Sequence, residues 1–417
     1  MENLLLVTAP ESCVVHGTVS LPASKSISNR VLIIKALCGK DFRVSNLSEA
    51  EDTLVLARAL ESLGISKDID AGHTGTAMRF LTSFLATQRG TFYLTGSERM
   101  KERPIGPLVN ALQQMGADIE YQGKRGYPPL KIKGKRLKGG SVEVDASTSS
   151  QFISSLLLIA PALSEGLMLT LNGTPVSSSY IKMTLGLMSR FGIETRWEQN
   201  VISVSPGTYK PQNITIEPDW SGASYFFETL LLAYEGEISF PLLSRKSLQG
   251  DAVIWQWFEH LGIKTVFSEE GALIKKSGGH PEFVSFDFRE NPDLAQTMAL
   301  AFAGRGIQAV FRGLETLPLK ETDRIKALQA ELNKTGYILA PLDEGIWQLR
   351  KTAWPLLPAR ITFHTHHDHR MAMACAPLAL AKGQISIKDP DVVVKSFPGF
   401  WENMKAIGFD LVYKPRE

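Results

Sequence analysis

Short polar segments with a hydroxyl residue and a cation stand before several apolar runs in this 417-residue chain. Lys25 and Ser26 come shortly before apolar residues 31–34, and Ser149 and Ser150 come just before another apolar segment. If these runs are helices, their first turns present unpaired N–H groups and a partial positive charge. Helix starts of this kind bind phosphate and carboxylate, so the pattern predicts sites for a small anion.

More cations lie in polar segments outside the apolar runs. They are Arg99, Lys101 and Arg103, then Lys320 and Arg324, and finally Lys395. A single loop cation is usually a solvated surface charge, but these share their segments with Gly, Pro and small polar residues. Arg matches phosphate and carboxylate through its planar fork, and Lys through its point charge. The cations therefore strengthen the prediction of an anion site.

Two carboxylates, Asp293 and Glu321, accompany these cations. Asp293 is explained equally by the preference for acidic residues at a helix start. Glu321 is explained equally as a structural ion-pair partner of Lys320 and Arg324. A carboxylate among cations stays ionised and is able to accept a proton, so catalysis is the competing interpretation for both residues.

The polar helix starts recur six times, at intervals of 50 to 75 residues. They are Ser24-Lys25-Ser26, Thr74-Gly75-Thr76, Ser149-Ser150-Gln151, Asp219-Trp220-Ser221, Pro292-Asp293-Leu294 and Asp368-His369-Arg370. Ser, Thr and Asp at such positions accept hydrogen bonds from the free N–H groups of the first turn. A second series of six glycines runs in step with them. These are Gly64, Gly116, Gly192, Gly262, Gly336 and Gly408.

Each of these glycines has an apolar residue four positions earlier, which predicts a helix that ends at a left-handed glycine before a strand. Repetition at this period is typical of a repeat architecture. We therefore predict six copies of one α/β unit, each about 70 residues long, with two helices and short strands. Pro22 and Pro218 each stand just before a helix start. We place the domain boundaries there, which gives one lobe of residues 23–218 and a second of residues 1–22 and 219–417.

Composition excludes several classes of protein. The net charge of +2 shows no basic excess, which argues against a nucleic-acid partner. Three cysteines without metal or redox spacing argue against a disulfide framework. The apolar run at residues 4–7 is too short for a signal peptide, and no segment approaches a membrane span. We expect a cytoplasmic, monomeric enzyme.

The histidines between His364 and His369 invite a metal interpretation, but we expect no metal because strand alternation would separate them.

Six strings of this chain resemble the motifs of the 3-phosphoshikimate 1-carboxyvinyltransferase family, also called EPSP synthases. They are residues 21–30, 75–79, 99–105, 149–152, 320–324 and 368–373, and the likeness runs from about Leu21 to Lys395. The resemblance implies an α/β fold, a two-lobed inside-out barrel of six βαβαββ repeats, three in each lobe. It also implies an active site in the cleft between the lobes.

The implied reaction transfers the enolpyruvyl group of phosphoenolpyruvate to the 5-hydroxyl of shikimate 3-phosphate, and phosphate leaves. It proceeds by addition and elimination and needs no metal or organic cofactor. The implied partners are these two small molecules alone. The resemblance makes Asp293 the favoured acceptor of the hydroxyl proton, and it leaves Glu321 and Lys25 as candidates for proton transfer at C3 of phosphoenolpyruvate.

The resemblance also implies two binding sets. Shikimate 3-phosphate is expected to contact Lys25, Ser26, Arg30, Ser149, Ser150, Gln151, Ser177, Asp293 and Lys320. Phosphoenolpyruvate is expected to contact Lys25, Gly75, Arg103, Gln151, Arg324, Arg370 and Lys395. A side chain at position 75 would block the approach of phosphoenolpyruvate to the helix end. Because Gly75 is present, we expect inhibition by glyphosate, which mimics phosphoenolpyruvate.

Four positions depart from the family pattern. His73 and Thr74 stand where Asn-Ala is usual, and Thr316 and His367 each stand where Asn is common. These departures concern substrate contacts rather than the reaction. Two alternatives remain. One is the sister enolpyruvyl transferase that acts on UDP-N-acetylglucosamine, which is expected to carry a reactive Cys or Asp in a mobile loop. The other is a non-catalytic anion-binding protein on the same fold.

Overall fold

The computed structural model describes residues 3–146, 149–353 and 360–414. The chain forms two compact units. The continuous unit is Ala23–Ile216, and the discontinuous unit combines Met1–Pro22 with Glu217–Glu417. The continuous unit therefore ends at Ile216, two residues before Pro218, where the sequence predicts its end.

The described residues contain fourteen α-helices. They are α1 (Lys25–Cys38), α2 (Glu51–Glu61), α3 (Gly75–Thr87), α4 (Glu98–Lys101), α5 (Gly106–Gln114), α6 (Ser150–Ile159), α7 (Ser178–Arg190), α8 (Trp220–Leu232), α9 (Ile254–Glu259), α10 (Ala295–Arg305), α11 (Arg324–Asn333), α12 (His369–Cys375), α13 (Ala379–Lys382) and α14 (Phe400–Ala406). Short 3₁₀ turns adjoin several of them, including Ser62–Gly64, Pro292–Leu294, Leu317–Leu319 and Pro390–Lys395.

Twenty-two strands lie in the same described ranges. They are β1 (Leu4–Thr8), β2 (Val14–Thr18), β3 (Val44–Ser45), β4 (Asp68–Asp70), β5 (Gly90–Thr95), β6 (Asp118–Tyr121), β7 (Leu130–Gly134), β8 (Gly140–Asp145), β9 (Leu167–Asn172), β10 (Thr195–Glu198), β11 (Val201–Val204), β12 (Ile214–Thr215), β13 (Glu235–Pro241), β14 (Ile263–Phe267), β15 (Gly271–Lys276), β16 (Phe283–Asp287), β17 (Gln308–Arg312), β18 (Tyr337–Asp343), β19 (Ile346–Lys351), β20 (Thr362–His364), β21 (Gln384–Lys388) and β22 (Asp410–Lys414).

One sheet pattern recurs five times, which confirms the repeat architecture. The strand orders are β4-β5-β7-β6, β10-β11-β9-β8, β14-β15-β13-β2, β16-β17-β19-β18 and β20-β21-β1-β22. In each sheet an edge strand pairs in parallel with its neighbour, and the remaining pairs are antiparallel. The α/β class and the repeated unit are therefore as predicted.

The sixth sheet is smaller than a full repeat. Within the described residues it has two strands, β3 and β12, paired in parallel. Pro206 and Pro211 lie in the irregular segment before β12, and proline removes a ladder donor from a strand. Among the described residues this repeat therefore shows two strands, where each of the other five shows four.

Helices form the interior of each unit and the sheets cover them. Every residue of α8 is buried, and α3, α6 and α10 are buried along almost their full lengths. A helix that is apolar on all sides belongs inside a core. The strands instead alternate, as in β13, where buried residues follow exposed ones. Each unit has its own large apolar cluster. This arrangement is the predicted inside-out packing, with helices within and sheets outside.

Five of the six predicted helix starts are correct, since α1, α3, α6, α8 and α12 each begin one residue after the predicted cap. The sixth differs because Pro292–Leu294 form a 3₁₀ turn and α10 begins only at Ala295. Among the caps, the side chains of Ser149, Asp219 and Asp368 accept a first-turn N–H. The caps of α1 and α3 do not use their side chains in this way.

Five of the six predicted glycine stops are left-handed, with φ between 80° and 105° at Gly116, Gly192, Gly262, Gly336 and Gly408. The prediction was wrong for Gly64. There α2 ends at Glu61 and continues as the 3₁₀ turn Ser62–Gly64, which any residue is able to form. No helix among the described residues has both the length and the apolar character needed to cross a membrane.

Candidate active site

In the continuous unit, hydrogen bonds join the first turns of four helices. Gln151 donates from Nε2 to Oγ1 of Thr76 at 3.2 Å, which links the start of α6 to the start of α3. Arg30 links the other helices through the Ser26 carbonyl of α1, the Ser154 hydroxyl of α6 and the Tyr180 carbonyl of α7. The N-terminal ends of α1, α3, α6 and α7 therefore lie side by side, and their dipoles add at one place.

Arg30 sits deeper than the other predicted binding residues. The residue is 2% exposed, and its guanidinium donates to Thr184 Oγ1 at 2.7 Å and lies against the rings of Phe80 and Tyr180. Burial lowers the pKa of Arg30 to about 10. Its hydrogen bonds hold the helix ends together.

Gly75 is the first residue of α3 and two arginines crowd it. A Cβ built at this position would lie 2.4 Å from Nη1 of Arg79 and 2.8 Å from Nη1 of Arg103. Both guanidinium groups thus reach the N-terminus of α3 only because position 75 has no side chain. The Nε of Arg103 is buried, and the described residues offer it no hydrogen-bond partner. This combination of cations and helix end suits an anion.

Lys25 Nζ forms an ion pair with Asp52 Oδ2 at 3.0 Å, and both side chains are 17% exposed. Asp52 lies in the first turn of α2, and sequence reasoning missed it because nothing in the spacing connects α1 to α2. Close by in sequence, the Ser24 hydroxyl is buried and has no partner among the described residues. The predicted residues Ser150 and Ser177 are also buried, at the starts of α6 and α7.

In the discontinuous unit, Arg324 is the centre of a network of charges. It donates from Nε to Asp368 at 2.7 Å, from Nη1 to Asp293 at 2.9 Å and from Nη2 to Glu321 at 2.8 Å. Its side chain is 1% exposed. Burial acts to lower the pKa of Arg324, but the charges of Asp368, Glu321 and Asp293 outweigh it and raise that pKa. Arg324 therefore stays charged and holds both candidate catalytic carboxylates.

Asp293 divides its two oxygens between two arginines. Oδ1 accepts from Arg324, and Oδ2 accepts from Nη2 of Arg370 at 2.9 Å. Lys320 Nζ is 3.7 Å from Oδ1. Burial lowers the pKa of Lys320, although the charge of Asp293 opposes this effect. Glu321 forms the expected ion pair with Arg324.

Another carboxylate, that of Asp251, lies close enough to Asp293 for their charges to interact. It accepts from Nδ2 of Asn291 at 3.1 Å and from the Ser221 hydroxyl. Burial, and then the negative charge of Asp293, raise the pKa of Asp251. Arg370 has another neighbour, because its Nη1 lies 3.4 Å from the hydroxyl of Tyr225. Sequence reasoning missed Asp251 and Tyr225, which come from helices and turns distant in sequence.

The remaining predicted residue, Lys395, ends the 3₁₀ turn Pro390–Lys395 and contacts the segment before α12. Lys395 Nζ donates to the carbonyl oxygen of His367 at 3.2 Å. The carboxylate of Asp368 is fully buried and also accepts from the backbone N–H of Arg370. The described residues contain no group of three or more His, Cys, Asp or Glu side chains placed to hold a metal ion. The hydroxyl of Thr316 is buried and lacks a partner among the described residues.

The structure thus gathers the predicted residues into two sets. The continuous unit holds Lys25, Ser26, Arg30, Gly75, Arg103, Ser149, Ser150, Gln151 and Ser177. The discontinuous unit holds Asp293, Lys320, Glu321, Arg324, Arg370 and Lys395. The first set offers helix ends, hydroxyls and cations for anions. The second offers carboxylates held by arginines, which can accept or donate a proton beside a bound anion.

Comparisons with known proteins agree with this chemistry. The family model described as EPSP synthase (3-phosphoshikimate 1-carboxyvinyltransferase) matches residues 11–71 and 65–404. A 3-phosphoshikimate 1-carboxyvinyltransferase of Bacteroides fragilis is 44% identical over 410 residues, 97% of this chain and 98% of the relative. One of Aliivibrio fischeri is 35% identical over 435 residues, 98% of this chain and all of the relative. An EPSP synthase structure from Acinetobacter baumannii covers 98% of this chain and all of that one, with a TM-score of 0.78 and 24% identity. That last likeness concerns the fold.

Proposed function

The chain belongs to the EPSP synthase family and transfers the enolpyruvyl group of phosphoenolpyruvate to shikimate 3-phosphate, and we propose that the two residue sets above carry out that reaction. The reaction is a step of the shikimate pathway, which leads to chorismate and the aromatic amino acids. The observation that carries the proposal is the network in which Arg324 and Arg370 share the carboxylate of Asp293.

We propose that shikimate 3-phosphate binds through the hydroxyl-rich helix starts and the lysines. The set is Lys25, Ser26, Arg30, Ser149, Ser150, Gln151, Ser177, Asp293 and Lys320. Phosphoenolpyruvate is held by Lys25, Gly75, Arg103, Gln151, Arg324, Arg370 and Lys395. The crowding of two guanidinium groups at Gly75 supports a phosphate there. Arg30 also fixes the helices that hold the phosphate ester, through its bonds to Thr184 and to the Ser26 carbonyl.

The proposed chemistry begins when the carboxylate of phosphoenolpyruvate reaches Arg324 and Arg370. That carboxylate competes with Asp293 for the same N–H groups and so releases Asp293 as a base. Asp293 accepts the proton of the 5-hydroxyl, whose oxygen bonds to C2 of phosphoenolpyruvate while C3 gains a proton. The tetrahedral intermediate then loses phosphate and a C3 proton, which forms the enol ether. Glu321 and Lys25 are the candidates for proton transfer at C3.

Two further observations weigh against the sister reaction on UDP-N-acetylglucosamine, which would use a reactive loop Cys or Asp. Cys38 and Cys375 are buried, and Cys13 is partly buried with its Sγ 3.8 Å from a backbone carbonyl. Burial raises the pKa of the Cys375 thiol well above its usual range. Thiols in such surroundings are inert. We also infer a cytoplasmic monomer that uses no partner chain, which light scattering of the purified protein would test.

The decisive experiment is phosphate release from shikimate 3-phosphate plus phosphoenolpyruvate in EDTA, with UDP-N-acetylglucosamine as the acceptor in a parallel reaction. We expect release with the shikimate ester alone. Release only with the nucleotide sugar would overturn the substrate assignment. Tight binding of shikimate 3-phosphate without release in either reaction would instead favour an anion-binding protein. Unchanged release in EDTA is expected because no step requires a divalent metal.

A further inference from the structure

We propose that His366, held by Glu331, is a positioning residue that sets the places of Lys395 and Asp368 for phosphoenolpyruvate. The inference rests on the proposed function of Lys395. It concerns a histidine that the reaction itself does not use. Its basis is a strained turn at residues 365–368 that is anchored at two points of one helix, α11.

The turn is strained at two consecutive residues. His366 has φ 51° and His367 has φ 57°, both in the left-handed region. Non-glycine residues enter this region at a cost and stay there only when their surroundings hold them. The backbone N–H of Asp368 closes the turn by donating to the Thr365 carbonyl at 2.9 Å. Contacts from neighbouring residues must therefore hold the turn in this conformation.

The strained conformation places two groups at the end of the turn, the carbonyl of His367 and the carboxylate of Asp368. The conformation of His367 aims its carbonyl oxygen at Lys395, whose Nζ donates to it at 3.2 Å. The next residue, Asp368, is buried and accepts from Nε of Arg324 at 2.7 Å. If the turn relaxed, the carbonyl and the carboxylate would both move. Lys395 would then lose its protein contact and Arg324 would lose one of its three carboxylates.

The other anchor is the pair between His366 and Glu331. Nε2 of His366 is 2.8 Å from Oε1 of Glu331, whose side chain is 1% exposed. Oε2 of the same carboxylate accepts from Lys334 Nζ at 2.6 Å and from the backbone N–H of His364 at 3.0 Å. Although burial acts to raise the pKa of Glu331, its bonds to His366 and Lys334 outweigh burial and lower it. The carboxylate is thus ionised and its hydrogen bonds are of the strong, charge-assisted kind.

Both anchors belong to α11. Arg324 is the first residue of this helix, and Glu331 lies seven residues further on, so the two side chains share a face. A helix of ten residues is rigid over this distance. The helix therefore contacts the segment between β20 and α12 at two places. Glu331 binds His366, and Arg324 binds Asp368. Within the part of the chain that the structure describes, the imidazole of His366 links Glu331 to the strained residues of the turn.

His364 provides a matched control. Its ring is exposed and lies 6.2 Å from that of His366, centroid to centroid, while its contact with Glu331 uses the backbone N–H. Removal of the His364 side chain therefore leaves the anchor intact. The variants to compare are His366→Ala, His366→Gln, His364→Ala and Glu331→Gln. His366→Gln keeps a side-chain donor for Glu331, and Glu331→Gln keeps the shape of the acceptor without its charge.

The test measures kcat and both KM values by phosphate release, with thermal unfolding alongside. We expect His366→Ala to raise the KM for phosphoenolpyruvate about tenfold, since a charge-assisted hydrogen bond is lost at one remove. The KM for shikimate 3-phosphate is expected to stay within about twofold, as are all values for His364→Ala. His366→Gln should recover most of the loss, and Glu331→Gln should resemble His366→Ala.

A double variant tests whether His366 acts through Lys395. Lys395→Ala combined with His366→Ala should be less impaired for phosphoenolpyruvate than the sum of the two single effects, since one of the two routes by which His366 acts is already lost in Lys395→Ala. Full additivity would overturn the proposal. So would equal rises in both KM values that follow a loss of thermal stability, because that result indicates a merely structural role. If the unaltered enzyme released no phosphate, the proposed function itself would fail before any variant was compared.

Discussion

At the scale of single residues, the contacts of Asp293 define how the site is held at rest. Its two oxygens accept from Arg324 and Arg370, which the proposal assigns to the carboxylate of phosphoenolpyruvate. The aspartate thus occupies the N–H groups that the substrate needs. The carboxylates of Asp293, Glu321 and Asp368 surround Arg324, and Arg370 and Lys320 are two further cations beside Asp293.

The first prediction concerns Asp293→Asn. We expect kcat to fall about 10² to 10⁴-fold, because a general base contributes an effect of this size. Binding of shikimate 3-phosphate should persist, since the hydroxyls and cations of the continuous unit are unchanged. Steady-state kinetics and calorimetric titration measure the two effects. Asp287→Asn is the control, because Asp287 pairs with the exposed Arg289 on the same unit. Equal loss of binding and turnover would contradict a role as base.

The second prediction concerns Gly75→Ala. The new Cβ would displace the guanidinium ends of Arg79 and Arg103, which are flexible, so the protein should fold. We expect the KM for phosphoenolpyruvate to rise at least about tenfold, since the helix end and two cations lose their joint geometry. Inhibition by glyphosate should weaken in parallel. Gly222→Ala is a suitable control, because a Cβ there meets only ordinary contacts of 3.5 Å or more. Unchanged inhibition in Gly75→Ala would contradict the role of Gly75, and an unaltered enzyme that glyphosate does not inhibit would contradict the expected sensitivity.

At the scale of elements, the repeated helix stops differ in what they demand of the chain. Gly116 has φ 89° and open space around its Cα, so only its backbone conformation requires glycine. Gly64 also has open space around it, but it lies in a 3₁₀ turn with ordinary φ. The two positions therefore form a matched pair, in which the steric surroundings are equal and the backbone conformation differs.

The third prediction compares Gly116→Ala with Gly64→Ala. We expect Gly116→Ala to lower the free energy of unfolding by about 1–2 kcal/mol, because an alanine resists the left-handed region. Gly64→Ala should be neutral or should raise that free energy by up to about 1 kcal/mol, through the lower entropy of the unfolded chain. Urea unfolding followed by circular dichroism measures both. Similar destabilisation in both variants would show that the left-handed conformation is not the reason for Gly116.

At the scale of the whole molecule, the two units differ in how their sheets are completed. All strands of the continuous unit come from residues 23–216. The discontinuous unit draws β1 and β2 from the first 22 residues. Strand β1 lies inside its sheet, between β21 and β22, so it supplies hydrogen bonds on both sides. Its Leu5 and Val7 are fully buried in the core of that unit.

The fourth prediction follows from this difference. A fragment of residues 23–216 should fold cooperatively, because its core and its sheets need no outside strand. A fragment of residues 217–417 should not, since loss of β1 separates β22 from β21 and opens unpaired strand edges. Addition of a peptide of residues 1–22 should restore its folding. Near-ultraviolet circular dichroism and gel filtration distinguish the outcomes. Cooperative folding of the fragment 217–417 on its own would contradict the argument.

Local chemistry in the sequence was sufficient for much of this protein. The helix starts and five glycine stops were predictable because caps and left-handed residues depend on the identity of a few adjacent residues. Their period indicated the repeated α/β unit, and the six strings indicated the family. Gly64 was mispredicted because a 3₁₀ turn and a left-handed stop share the same local pattern, and the start of α10 because a 3₁₀ turn and a first α-helical turn do so too.

Tertiary structure alone decided which side chains meet. Asp52 reaches Lys25 across two helices, and Arg324 gathers carboxylates from three separate segments. Arg30 is buried with hydrogen-bond acceptors on α6 and α7, which could not be predicted from the residues near Arg30 in the sequence. Such contacts depend on how elements pack, and packing is set by the summed burial of many residues rather than by any one spacing. The sequence could therefore name the chemical groups, while only the fold determined their partners.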